Sequence, residues 1–144
     1  MRGPNPQSRF KNLGLGTMTV PFGGKTDQEA FHPGVDFANR TGTPIPTFES
    51  GVVTKAESGH AQGENNFGNT VEIKDANGNT QQFHHLDRIN VKPGQQVRKG
   101  QQVATMGTSG AVYSPTGGDP TNLDFRIVDS YGKYMNPEAY LQNF

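Results

Sequence analysis

His32 and Asp36 are the first residues in this sequence whose types and spacing suit metal chemistry. They stand four apart in His32-Pro33-Gly34-Val35-Asp36. Pro33 and Gly34 shape a bend, and a bend can bring an imidazole and a carboxylate to one cation. Zinc accepts both donor types. The spacing alone is unspecific, since an exposed histidine beside a capping aspartate reads the same way. The remaining histidines are His60, His84 and His85. Side chains alternate between the faces of a strand, so Phe83 and His85 should share a face. His84 should then point the other way, to the surface or a side contact. Asn122 and Asp124 stand at i and i+2 and should also face one side. The chain has no cysteine, so any metal here must be held by imidazole and carboxylate alone.

These residues need strands to position them, and the sequence supplies strand signals. Gly51–Ala56 reads as a strand opened by a glycine. Asn69–Asp75 alternates, with Val71 and Ile73 on one face and Glu72 and Lys74 on the other. Asn77-Gly78 is a hairpin signal, and Thr80–Leu86 is the expected return strand. Lys92-Pro93-Gly94 marks a turn, Gln101–Met106 a strand, and Asn122–Val128 a final alternating strand. Gly107–Pro120 is a loop rich in Gly, Ser, Thr and Pro. Pro137–Leu141 suits one helical turn, with Pro137 at its first position. The repeated Gly-Gln-Gln-Val at residues 94–97 and 100–103 reads as two similar strand starts.

Composition narrows the class. The 144 residues suit one domain with an arm, and 19 glycines with 10 prolines argue against a helical bundle. The formal charge is zero, which gives no support for a nucleic-acid partner. No run approaches the ~18 apolar residues of a membrane helix, so no membrane insertion is expected. Residues 1–19 carry three basic side chains, no acid, two prolines and three glycines, and read as an extended arm. Residues 20–144 form the domain.

Several motifs occur in a telling order: His32–Phe37 (HPGVDF), Gly42–Pro46 (GTPIP), Gly51–Val53, Gly68–Ile73 (GNTVEI), Phe83–Leu86 (FHHL), Val91–Gln102 and Gly107–Gly110. This order resembles the lysostaphin-type (LytM-like) zinc endopeptidases, which cut peptidoglycan cross-bridges. The resemblance spans about Val20 to Leu141. It implies an all-β, compact, β-sandwich-like domain of antiparallel strands with loops framing a groove. It implies His32 and Asp36 as zinc ligands and His85 as a catalytic histidine. The family's closing His-Leu-His-Phe matches Asn122-Leu123-Asp124-Phe125, so two motif histidines are replaced.

That departure changes the chemistry. Asp124 would complete a His–Asp–Asp donor set, more anionic and less selective for zinc over other divalent metals. More ligand charge makes a weaker Lewis acid. Asn122 cannot move a proton at neutral pH, though its amide can donate to an oxyanion. The expectation is a modified site, inclined toward binding without cleavage. The double change Asn122→His with Asp124→His should restore zinc binding. Asp119 reads as a turn residue before Pro120, His60 as loop decoration, and Asp87 and Arg88 as a solvated strand end.

Two further expectations follow. Met1–Gly16 has no apolar signal segment, so delivery to the bacterial wall or periplasm is expected from a phage virion. The arm at residues 1–19 would then dock on a neighbouring tail protein. A fold-level alternative is a lipoyl or biotinyl carrier domain, which Val91–Gln102 also resembles. Lys74 precedes the hairpin turn, however, and no lysine stands at its tip.

Overall fold

The computed structural model describes residues 13–24, 31–112, 118–142 and 144. Its elements in chain order are β1 (Thr17–Val20), β2 (Val35–Ala38), β3 (Pro44–Pro46), β4 (Gly51–Glu57), β5 (Asn69–Asp75) and β6 (Thr80–Ile89). These are followed by β7 (Gln96–Val97), β8 (Gln102–Met106), β9 (Asn122–Val128), β10 (Tyr134–Met135) and α1 (Glu138–Gln142). The main path of the sheet runs β1-β2-β9-β6-β5-β4-β7, with β10 beside β9 and β3 beside β8. All these strand pairs are antiparallel. The all-β architecture expected from the sequence is therefore present. Among the described residues, no helix is long and apolar enough to cross a membrane.

The period-two pattern explains the core. Leu123, Phe125 and Ile127 of β9 are fully buried on one face, with Val35 and Phe37 of β2, Phe83 of β6, and Val71 and Ile73 of β5. Phe48 joins them, with ring centroids 4.8 Å from Phe125 and 6.3 Å from Phe83. Gln81 is buried in the same layer, and its carboxamide is satisfied. It accepts from Phe48 N at 3.0 Å and donates to Thr47 Oγ1 at 3.1 Å.

At the β5–β6 hairpin, Asp75 Oδ1 accepts from the backbone N of both Asn77 and Asn79, and Gly78 supplies a positive φ of 83°. Tyr140 of α1 donates to Asp75 and docks the helix on that turn. The two Gln-Gln-Val segments do open separate short strands, β7 and β8.

Three expectations change. The arm does not extend through residue 19. Residues 1–12 lie outside the described part, but Leu15 and Met18 are buried and β1 pairs with β2. The apolar side chains between the glycines, hidden by the basic composition around them, already belong to the domain. β6 runs three residues past Leu86. It also changes partner along its length: Thr80–His84 pair with β9, whereas Leu86 and Ile89 pair with β8. The third change is at the junction, where the register against β5 slips between Val71↔Phe83 and Asn69↔Leu86. His85 there has φ +65°. Phe83 and Leu86 both enter the core, so His84 and His85 occupy the bulge together. The expected sharing of a face by Phe83 and His85 fails for that reason.

Candidate metal centre and groove

The registers bring the candidate residues together. Asp36 of β2 lies opposite Asp124 of β9, and Asp124 lies opposite His84 of β6. All three sit on the face away from the phenylalanine core. His32 comes from the bend before β2. It is almost fully buried, and its backbone is pinned by hydrogen bonds with Gly23 and Gly24. Gly34 is needed for the bend to pack. A Cβ there would stand 2.6 Å from Phe125 O and 3.0 Å from Asp124 Oδ1.

His32 Nε2 is 2.9 Å from Asp36 Oδ1 and 3.9 Å from Asp124 Oδ1. Among the described residues, these three offer donor atoms all within 4.8 Å of one another. Tetrahedral zinc ligands at 2.0–2.1 Å from the metal lie roughly 3.3 Å apart. Shifts of about an ångström would close the set, so the residues fit a divalent cation. Burial raises the Asp36 pKa, with the His32 hydrogen bond opposing it. For Asp124 burial also pushes upward, but the Arg126 hydrogen bonds and charge overcome it and hold the carboxyl below its usual value.

Arg126 is the residue that motif reading missed. It stands two beyond Asp124, on the same face of β9, and grips it twice. Nε donates to Oδ1 at 3.0 Å and Nη2 to Oδ2 at 2.8 Å. The pair is buried, and the guanidinium is stacked 4.7 Å from the Phe67 ring centroid and 5.4 Å from that of Tyr134. A carboxylate has about four lone-pair sites, so Oδ1 retains capacity for a metal. The expected excess of negative charge is corrected by this contact. Arg126 cancels Asp124, and the set carries one net negative charge, as a His–Asp–His set does.

His84 is not at the surface. It is buried, stacked on Phe67 with centroids 4.2 Å apart, and bonded through Nδ1 to Thr70 Oγ1 at 2.9 Å. The Thr70 hydroxyl also points to Gly68 O. The tautomer that satisfies both contacts has Nδ1–H donating and Nε2 as the bare acceptor. That Nε2 is the one buried side-chain polar atom without a partner among the described residues. Desolvation pushes the His84 pKa down to about 3, so the ring is neutral.

His85 is held by a different contact. Its Nδ1 is 2.8 Å from Ser109 O. A carbonyl only accepts, so Nδ1 carries the proton and Nε2 the lone pair, the tautomer a general base requires. His85 follows His84, which lies opposite Asp124 of β9. Asn122 lies on the Asp124 face and spends one amide proton on Pro120 O at 2.9 Å. Asp119 behaves as a turn residue, accepting from Thr121 N and Oγ1. Asp87 and Arg88 are exposed. His60 is more than loop decoration, because both ring nitrogens meet carboxylates, Glu57 Oε1 and Glu64 Oε2, at 2.7 Å.

Comparison with known proteins places this geometry. Over 90 residues, 62% of this chain, it is 38% identical to the peptidoglycan DD-endopeptidase ShyA of Vibrio cholerae, covering 20% of that protein. Over 143 residues, 96% of this chain, it is 31% identical to the murein hydrolase activator NlpD of Salmonella typhimurium, covering 35% of it. The chain thus spans about a fifth to a third of the length of these curated relatives. Among solved structures it resembles the catalytic domain of the prophage-encoded M23 protein EnpA from Enterococcus faecalis. The TM-score is 0.68 and the identity 30%, covering 84% of this chain and 88% of that one. These likenesses leave the carrier-domain alternative without support. The model of peptidase family M23 matches residues 30–137, and the chain belongs to that family, with a lysostaphin-type fold.

Proposed function

We propose that the domain engages peptidoglycan along this groove and cleaves it slowly, as a divalent-metal-dependent endopeptidase. The observation that carries the reading is the convergence of His32, Asp36 and Asp124, with a histidine in the base-competent tautomer one residue beyond the β6 position opposite Asp124. Those three residues would hold the cation, which when bound supplies positive charge to polarise a scissile carbonyl. His85 Nε2 is the lone pair placed to take a proton. Asn122 has an amide proton left to donate toward a developing oxyanion. It cannot exchange a proton, so one acid–base group is missing, an effect typically worth about 10²–10⁴-fold.

Digestion of purified peptidoglycan, with and without a chelator and beside metal analysis of the protein, tests this. Slow, chelator-sensitive release of peptides is the expected result. An absence of both bound metal and cleavage would overturn it in favour of a second reading, a scaffold that binds the wall without cutting. One observation favours that alternative: both Asp124 oxygens are already bonded to Arg126.

We propose a phage virion as the route to the wall; a likeness to a prophage-encoded M23 protein supports a phage origin. Deleting residues 1–12, which leaves β1 in place, should remove the chain from purified particles if that segment docks on a tail protein. Unchanged incorporation, read by mass spectrometry, would count against the docking.

A further inference from the structure

His60 lies in the loop between β4 and β5, outside the donor set. Its Nε2 meets Glu57 Oε1 and its Nδ1 meets Glu64 Oε2, each at 2.7 Å. Ionised carboxylates only accept, so both ring nitrogens carry protons and His60 is an imidazolium. Glu57 closes β4 and Glu64 is in mid-loop, so the cation ties the loop to the sheet. Ala61 N and the Asn66 amide add bonds to Glu64, and His60 N donates to Asn69 Oδ1 at 2.9 Å.

The tied loop grips the neighbouring one. Gly63 N donates to Gly110 O at 2.9 Å, Gly110 N to Ala61 O at 2.9 Å, and Ala111 N to Asn66 O at 2.8 Å. The fit is close at the backbone: a Cβ on Gly68 would stand 2.4 Å from Ser109 C. Ser109 Oγ accepts from Asn69 N at 2.9 Å and donates to Leu86 O at 2.7 Å. Both loops then end on His85. Ser109 O accepts its ring Nδ1–H at 2.8 Å, and Phe67 O accepts its backbone N–H at 2.9 Å.

We propose that His60, through its clamp between Glu57 and Glu64, is a positioning residue that sets the tautomer and orientation of His85. The functional meaning rests on His85 being the general base of the groove; the positioning itself does not need turnover. A protonated His60 closes the clamp, and deprotonation removes one donor and opens it. The Glu57 and Glu64 hydrogen bonds raise the His60 pKa above its ordinary value. Asn66 and His60 hold Glu64 down to about 2. The charged groups facing the clamp are Lys55 and Glu57 on β4, Glu72 on β5 and Glu64 in the loop itself. Residues 107–112 of the adjoining loop carry no titratable side chain. The sign follows: the clamp is complete below the ordinary histidine pKa and is lost as pH rises through the raised one.

The test is nitrogen NMR of the histidine rings in the full chain, from about one pH unit below the ordinary histidine pKa to about 2.5 above it. In the wild type the His85 Nδ1–H should be protected at low pH, and its exchange should quicken several-fold as His60 loses its proton. In His60→Gln and Glu64→Gln that protection should be weakened at every pH, and the step with pH should vanish. A His85 signal unchanged in both folded variants would overturn the proposal, as would a step that persists in His60→Gln. Should either variant fail to fold, the wild-type titration decides alone. A step in His85 Nδ1–H protection at the His60 midpoint supports the coupling, and its absence there refutes it. Because the readout is spectroscopic, a domain that never cleaves peptidoglycan still tests the positioning.

Discussion

Arg126→Met destabilises the domain by about 3–5 kcal/mol, the usual cost of leaving one partner of a buried ion pair unpaired. Methionine keeps an unbranched apolar stem under Phe67 and Tyr134, so packing is a small part of the loss. The pH dependence should change sign. In the wild type, Asp124 titrates below its ordinary value, so its contribution is present above the unfolded-state pKa. It is lost as pH falls through the folded one. Without Arg126, burial, the largest influence, is opposed only by the smaller effects of His84 and His32 and should raise that pKa, so the variant should gain stability on acidification where the wild type loses it. A divalent cation should return part of the loss, about 2.7 kcal/mol at a hundredfold excess over Kd. Urea denaturation at several pH values, with and without zinc, reads all three effects. A loss below 1 kcal/mol would show that Arg126 does not hold Asp124 charged.

The second large effect concerns Asn122 and Asp124, where the family resemblance implies two histidines. Sequence reading expected Asn122→His with Asp124→His to restore zinc binding. The structure predicts that this pair fails, because Asp124→His strands the Arg126 guanidinium beside an incoming dication. A metal-bound histidine also needs an acceptor for its other N–H. Position 126 lies on the correct face to supply one. The triple change Asn122→His, Asp124→His, Arg126→Glu should therefore bind zinc where the double does not. Outer-shell partners typically change metal affinity 10–100-fold. With a second acid–base group regained, peptidoglycan cleavage should rise by about 10²–10⁴-fold. Calorimetry with zinc and release of soluble peptides measure both. A triple variant that folds yet binds zinc no better than its parent would refute the assignment of position 124 as a ligand.

The sequence disclosed the strands whose two faces differ. Asn122–Val128 alternates cleanly and forms β9 with those bounds. Asn77-Gly78 lies in the β5–β6 turn, with the positive φ taken by Gly78 alone. Exposure was harder to read than facing. Alternation sends His84 away from the phenylalanine core, but Phe67 and a loop cover that second face, so the ring is buried anyway. His85 escaped because a bulge adds a residue and suspends the period of two. Arg126 was within reach. The rule that places Asn122 and Asp124 on one side also places Arg126 there, and a charge two residues from a buried carboxylate is a pairing signal. The His60 clamp was not legible, since it depends on how a glycine-rich loop folds back on its own strand. Leu15 and Met18 were masked by the basic residues that precede them.

His85 holds a left-handed backbone, φ +65°, at the point where β6 trades β9 for β8. Such a conformation costs a non-glycine residue about 1–3 kcal/mol, and glycine would adopt it without that cost. Two selective pressures therefore disagree at this codon. Foldability alone favours glycine or asparagine, and only a use for the imidazole favours histidine. A lineage that had abandoned the groove would be expected to drift toward glycine here. The left-handed position thus sets a cost on keeping the imidazole, and glycine in its place would relieve that cost and remove the ring's hydrogen bond to Ser109 O.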